Sequence, residues 1–168
     1  MSEPARSIRP ASSRTPPSCS VRPATHEDVH AIAVAVCELV LELGGDPPSQ
    51  PAMHNAARAL VEETRAGALL VADADGRVIG VLGASWQIAV HAPGLYGLIQ
   101  ELWVHPDSRD QAIGRELVSA LCELARGRGV ERIEVGLPGE HFAQVTATEA
   151  FYIANGFTAI GARMRRQL

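Results

Sequence analysis

The hydrophobic period of this chain changes at Gly67, and that change fixes the order of its secondary structure. Before it, one face recurs at helical spacing, through Val29, Ile32, Ala33, Val36, Leu39, Val40 and Leu43, then through Ala57, Leu60, Val61 and Thr64. After it, two strand-like runs, residues 68–72 and 77–82, flank Asp75-Gly76, a dipeptide that accepts the positive φ of a tight hairpin turn. Helices followed by a hairpin exclude an all-α bundle and an all-β sandwich. The fold class is α/β, in the α+β sense of a sheet whose strands are not all parallel.

The remaining elements follow from local punctuation. Residues 21–24 read as an edge strand, because Pro23 lacks a ladder donor. Thr25 stands three residues before Asp28, the spacing of a capping box that launches the first helix; Gly44-Gly45 ends it. Asp46-Pro47-Pro48-Ser49-Gln50-Pro51 reads as a rigid turn before a second helix over 53–66. The second hairpin strand runs on to about residue 90. A loop at 91–94, a strand at 96–104, a helix over 109–126 ended by Gly127 and Gly129, and a strand at 131–137 come next. A short helix at 146–154 and one or two strands over 157–167 complete the order β α α β β β α β α β. Residues 1–20 are rich in Pro and Ser and poor in large apolar groups, so they read as a flexible tail before a single domain at 21–168.

Charge and cysteines exclude several functions. The 168 residues carry 15 Lys+Arg against 19 Asp+Glu, a net charge of −4, so no basic surplus marks a nucleic-acid partner. The most apolar stretch, residues 29–43, is broken by Cys37, Glu38 and Glu42 and is too short to span a membrane. The first twenty residues hold no apolar signal core, which points to a cytoplasmic protein. Cys19, Cys37 and Cys122 are far apart, with no C-x-x-C spacing, and point to neither disulfide nor metal.

Chemistry concentrates between residues 102 and 115. A strand there passes through a tight loop of small residues into a long helix, and such a junction aims backbone N–H groups and the positive end of a helix dipole at one point, as a pyrophosphate requires. Arg109 and Arg115 stand beside it. An ordinary β-to-α turn, with Pro106 stopping the strand and Gly114 permitting close packing, accounts for the same residues. A nucleotide-binding protein using the anion site is disfavoured, because neither G-x-x-x-x-G-K-[ST] nor G-x-G-x-x-G occurs.

The segment resembles motif A of the GNAT superfamily of acyl-CoA N-acyltransferases, whose Q/R-x-x-G-x-G/A loop is matched by Arg109-x-x-Ala112-x-Gly114 after Gln100-Glu101-Leu102-Trp103-Val104-His105-Pro106. Phe151-Tyr152-Ile153-Ala154-Asn155-Gly156-Phe157 resembles that family's second signature, at the usual separation, and the order of elements agrees over about residues 21–168. The resemblance implies a mixed, mostly antiparallel sheet with splayed central strands, flanked by about four helices. It implies an N-acetyltransferase that moves an acetyl group from acetyl-CoA to a primary amine of a small molecule or peptide by direct attack. It leaves a homodimer open, and also a catalytically weak acyl-CoA-binding sensor.

Carried over by position, the resemblance gives the pyrophosphate to the backbone amides of Asp110, Gln111, Ala112, Ile113 and Gly114, with Arg109 and Arg115 nearby. Trp103 and Val104 would pair main-chain groups with the pantetheine arm, and the Val104 N–H would face the developing oxyanion. Tyr152 would protonate the departing thiolate. Glu101 is the first candidate to take the amine proton, with His105 and His141 behind it and a fold-internal salt bridge as its alternative role. The acceptor pocket falls to residues 43–54, 91–96 and 140–144, where Glu42, Asp46 and Glu140 favour a cationic amine if they converge. The chain departs from the family pattern at Ala112 and Asp110, where Gly is common, and at Val145 and Thr148, where Asn and Ala are common.

Overall fold

The computed structural model describes residues 19–90 and 92–161; the tail up to residue 18, His91 and the end of the expected last strand, 162–168, lie outside the described residues. Among the described residues, five strands form one sheet in the order β1-β2-β3-β4-β5, with β1 at Cys19–Pro23, β2 at Gly67–Ala74, β3 at Arg77–Ala89, β4 at Ala92–Val104 and β5 at Arg132–Val135. Neighbours are antiparallel except β4 and β5, which run parallel and are joined by the crossover helix α3, Ile113–Gly127. Helices α1 (Val29–Glu42) and α2 (Gln50–Glu62) cover one face of the sheet, and α3 with α4 (Val145–Ala154) covers the other.

The Asp75-Gly76 turn takes φ of 54° and 80°, as a two-residue hairpin demands. At the start of α1, Asp28 accepts the Thr25 N–H at 2.7 Å and the Arg22 guanidinium at 2.7 and 2.9 Å, while Arg22 also reaches Asp73 at 3.0 Å. That network ties β1, β2 and the α1 cap together, and the Arg22 hydrogen bonds hold the Asp28 carboxyl down at about 2. On the α3 side, Leu82, Leu117 and Leu121 are fully buried beside Ile79, Ile99 and Tyr152. On the other side, Trp103 packs with Val29, Ile32, Val71 and Val81.

Several boundaries differ from the sequence reading: β1 begins at Cys19, inside the expected tail, α2 ends at Glu62 and not at 66, and β5 spans only Arg132–Val135. Helix α2 starts at Gln50, three residues early, because Pro51 sits in its first turn, where a missing N–H costs nothing, and Ser49 caps it by accepting the Ala52 N–H at 3.4 Å. Strand β4 starts at Ala92, since the ladder continues through the expected loop. Helix α3 starts at Ile113 and not at 109, because Asp110 and Ala112 hold φ of 61° and 63°, a left-handed conformation no helix propagates through. Residues 157–161 form no strand in the structure.

Two features of the sheet position the site. Strand β5 pairs with β4 only from Tyr96 to Ile99, so the two strands part beyond that point and leave the last turn of β4 with an open edge. A register shift at Gly83/Ala84 leaves Gln100 as an extra residue in β4, a bulge that bends the strand at the fork.

Candidate active site

Where β4 and β5 part, a cavity of about 700 Å³ opens, lined from β4 by Gln100, Leu102 and Val104, from α3 by Gly114 and Arg115, and from α4 by Phe151 and Tyr152. The pattern of β4 hydrogen bonds decides which main-chain groups face it. His105 N–H bonds Ile79 C=O at 2.9 Å, so the pair Val104/Gly80 is the non-hydrogen-bonded kind, and Val104 turns its N–H and C=O away from β3 toward the fork. Leu102 does the same by alternation. Trp103 turns its main-chain groups to Val81 and its ring into the α1 core, so it has no main-chain group free for the pairing expected of it, whereas Leu102 has.

The loop into α3 is a cradle of donors. Among the described residues, no acceptor meets the N–H groups of residues 110–115, whereas those of Ser108, Arg109 and Glu116 are bonded to His105, Pro106 and Ala112. The left-handed turns at Asp110 and Ala112 curl these amides around one point at the positive end of α3, the geometry of an anion nest. Asp110 and Arg115 have exposed side chains at its rim. Gly80 lets the loop lie this close to the sheet: a Cβ there would meet Ile113 Cγ2 and Leu117 Cδ1 at 3.0 Å. Gly114 serves the same end toward α4, since its Cβ would press the Phe151 ring at 3.3 Å.

Tyr152 reaches the cavity because of how α4 ends. Gly156, at φ 86°, turns the chain so that Phe157 N–H returns to the Tyr152 C=O at 3.0 Å, and Phe157 and Phe151 both stack edge-on against Tyr152, at 5.2 and 5.1 Å. The Tyr-x-x-x-Gly-Phe spacing is thus a helix stop that clamps a phenol. Burial pushes that phenol up to about 12. Its hydroxyl has no protein partner among the described residues.

Arg109 departs from the expected role. Its guanidinium is turned from the cradle to Glu42 at the end of α1, in a bidentate pair at 2.9 and 2.7 Å, and its Nε donates to Val104 C=O at 3.1 Å. Glu42 is therefore neutralised instead of being offered to a cationic acceptor, and Asp46 and Glu140 are exposed and line neither this cavity nor the smaller one beside it. His141 lines that smaller cavity together with Glu42, Leu43 and Gln144. His105 lies outside both, stacked edge-on against Trp103 at 5.8 Å.

Glu101 lies on the opposite face of β4 from Leu102 and Val104, over Gly83, whose missing side chain leaves room for the carboxylate. It does not line the large cavity. Burial pushes its carboxyl up, and no hydrogen bond or ion pair meets it among the described residues, so the salt-bridge reading finds no support. Sequence reasoning missed the Arg109 to Glu42 pair; its only trace is an acidic residue at a helix C-terminus, against the dipole.

The cradle fits a diphosphate, and the walls of Leu102, Val104, Val135 and Phe151 fit an apolar arm leading to Tyr152. The chain belongs to the acetyltransferase (GNAT) family, whose model matches residues 33–157, and it is an acetyl-CoA-dependent N-acetyltransferase. A curated relative, the aminoalkylphosphonate N-acetyltransferase of Salmonella typhimurium, is 32% identical over 119 residues, which is 71% of this chain and 74% of that protein. Two solved structures share the fold. The aminoglycoside N-acetyltransferase AAC(6')-Iy in complex with CoA matches with a TM-score of 0.75 at 14% identity, covering 94% of this chain and 99% of that one. A transcriptional regulator from Bacillus halodurans C-125 matches with a TM-score of 0.76 at 20% identity, covering 90% and 100%.

Proposed function

We propose that residues 110–115 hold the pyrophosphate of acetyl-CoA, that Leu102 and Val104 pair with its extended arm, and that the reacting carbon lies in the plane of the sheet beyond Ile99. The observation that carries this reading is the run of unpartnered amides opening onto the cavity that Tyr152 lines. Acetyl-CoA supplies an acetyl group activated as a thioester. The Val104 N–H, directed into the fork, donates to the oxygen that gains charge during attack. Tyr152 and Glu101 lie on opposite sides of β4, so one serves the sulfur and the other the amine.

Magnitudes separate their roles. Thiols titrate near about 8.5, far below the value of about 12 at Tyr152. Full proton transfer from Tyr152 to a thiolate is therefore uphill, and its part is to donate a hydrogen bond to the developing thiolate. Glu101 takes the amine proton, directly or through water, and burial brings its carboxyl toward the range a base needs. The acceptor is a primary amine of a small molecule, and the curated relative favours an aminoalkylphosphonate over a peptide. The unpaired Cys19, Cys37 and Cys122 agree with a reducing, cytoplasmic setting, and no helix among the described residues is long and apolar enough to cross a membrane.

Thiol release from acetyl-CoA, measured with 2-aminoethylphosphonate, an aminoglycoside and a basic peptide, tests the reading. The phosphonate is expected to give the highest kcat/KM. A peptide preference would move the acceptor class, and CoA binding with no turnover on any amine would leave an acyl-CoA-binding module.

A further inference from the structure

We infer that Glu42 and Arg109 form a positioning clasp that fixes the acceptor wall to the donor loop, and that Arg109 does not hold the pyrophosphate. The inference rests on the function proposed above and concerns the mouth of the same site. Arg109 directs Nε, Nη1 and Nη2 to protein acceptors: Val104 C=O at 3.1 Å and the two Glu42 oxygens at 2.9 and 2.7 Å. Three elements meet on one planar group: the C-terminus of α1, the open end of β4 and the loop that opens α3.

Glu42 adds nothing to its own helix. A carboxylate in the last turn opposes the dipole, and α1 has no basic residue there to offset it. Arg109 supplies that positive charge from across the site.

The pair is half exposed, at 41% and 31% of the side-chain surfaces, so screening keeps its share of global stability small. Its effect falls on geometry. Displacing a reacting group by a fraction of a bond length costs rate steeply, up to about 100-fold per ångström.

The test is a double-mutant cycle of Glu42→Gln, Arg109→Gln and the pair, with CoA affinity by calorimetry, kcat and KM for 2-aminoethylphosphonate, and hydrogen exchange of residues 43–49. The clasp predicts that the two single variants match: kcat/KM for the amine falls about tenfold, CoA affinity changes less than about twofold, exchange of 43–49 rises equally, and the double variant is no worse than either. Arg109→Lys, which keeps the charge but not the fork, is expected to behave like Arg109→Gln. If Arg109→Gln weakens CoA about tenfold or more while Glu42→Gln leaves it unchanged or tightens it, Arg109 is a pyrophosphate ligand and the clasp is wrong. Unequal exchange of 43–49 in the two variants also overturns it. Failure of the wild-type protein to bind CoA would instead overturn the proposed function, because that measurement involves no variant.

Discussion

Ala112→Gly isolates the torsional cost of the anion cradle. Ala112 holds φ at 63° and forms the N-cap of α3 without a side-chain hydrogen bond. A left-handed conformation costs a residue bearing Cβ roughly 1–2 kcal/mol, and glycine gives back about 0.5–1 kcal/mol through its freer unfolded chain. The balance is a gain of about 1 kcal/mol, which in a chain of this size raises Tm by about 2–4 °C. Gly76→Ala is the mirror-image control: its φ is 80° and a Cβ there meets nothing within 4 Å, so torsion alone is measured, with the opposite sign. Calorimetric unfolding of both variants gives the comparison. CoA affinity of Ala112→Gly should stay within about twofold, because the loop already holds its curled shape without ligand and glycine relieves free and bound states alike. An unchanged or lowered Tm for Ala112→Gly, with Gly76→Ala destabilised as expected, would refute the strain argument at position 112.

Tyr152→Phe should lower kcat by about 100-fold with acetyl-CoA affinity nearly unchanged, and wild-type kcat should show no alkaline fall from Tyr152 until the pH nears its value of about 12; equal turnover in the variant would remove Tyr152 from the chemistry. Glu101→Gln should lower kcat/KM, with the loss shrinking at high pH as the free amine needs no base, yet it should raise Tm at pH 8, because a buried carboxyl whose folded value is raised destabilises the fold once it ionises; a lowered Tm would reveal an ionic partner. Asp28 has the opposite sign: its folded value of about 2 lies below the ordinary aspartate value of about 3.9, so its contribution, about 2 kcal/mol, is complete above the unfolded value and lost as pH falls through the folded one. Asp28→Asn should flatten acid unfolding in that window, and an unchanged acid limb would mean that the network with Arg22 and Thr25 contributes nothing.

The readable parts of this chain were those whose cause is local. The Asp75-Gly76 turn, the Thr25/Asp28 cap and the Gly44-Gly45 stop each act within a few residues, and each appears where its spacing places it. The start of α3 was not readable, because Asp110 and Ala112 adopt a glycine-like conformation without glycine. The Gln100 bulge depends on register with β3, and the Glu42 to Arg109 pair joins residues 67 apart in the chain. Alternation along β4 did place Leu102 and Gln100 with Val104, and Glu101 opposite.

The fork between β4 and β5 has a bearing on how the protein behaves in a crowded solution. An unpaired strand edge invites another chain to add itself, the first step toward aggregation. Here the bare edge, from Leu102 to Val104, lies in a cavity walled by α3, α4 and the end of α1, with Arg109 and Phe151 among its lining residues. A thin, flexible chain of methylenes and amides suits such a walled slot better than a polypeptide strand that carries side chains on both faces. The same recess that admits a donor therefore keeps a permanently incomplete sheet from completing itself with a neighbour.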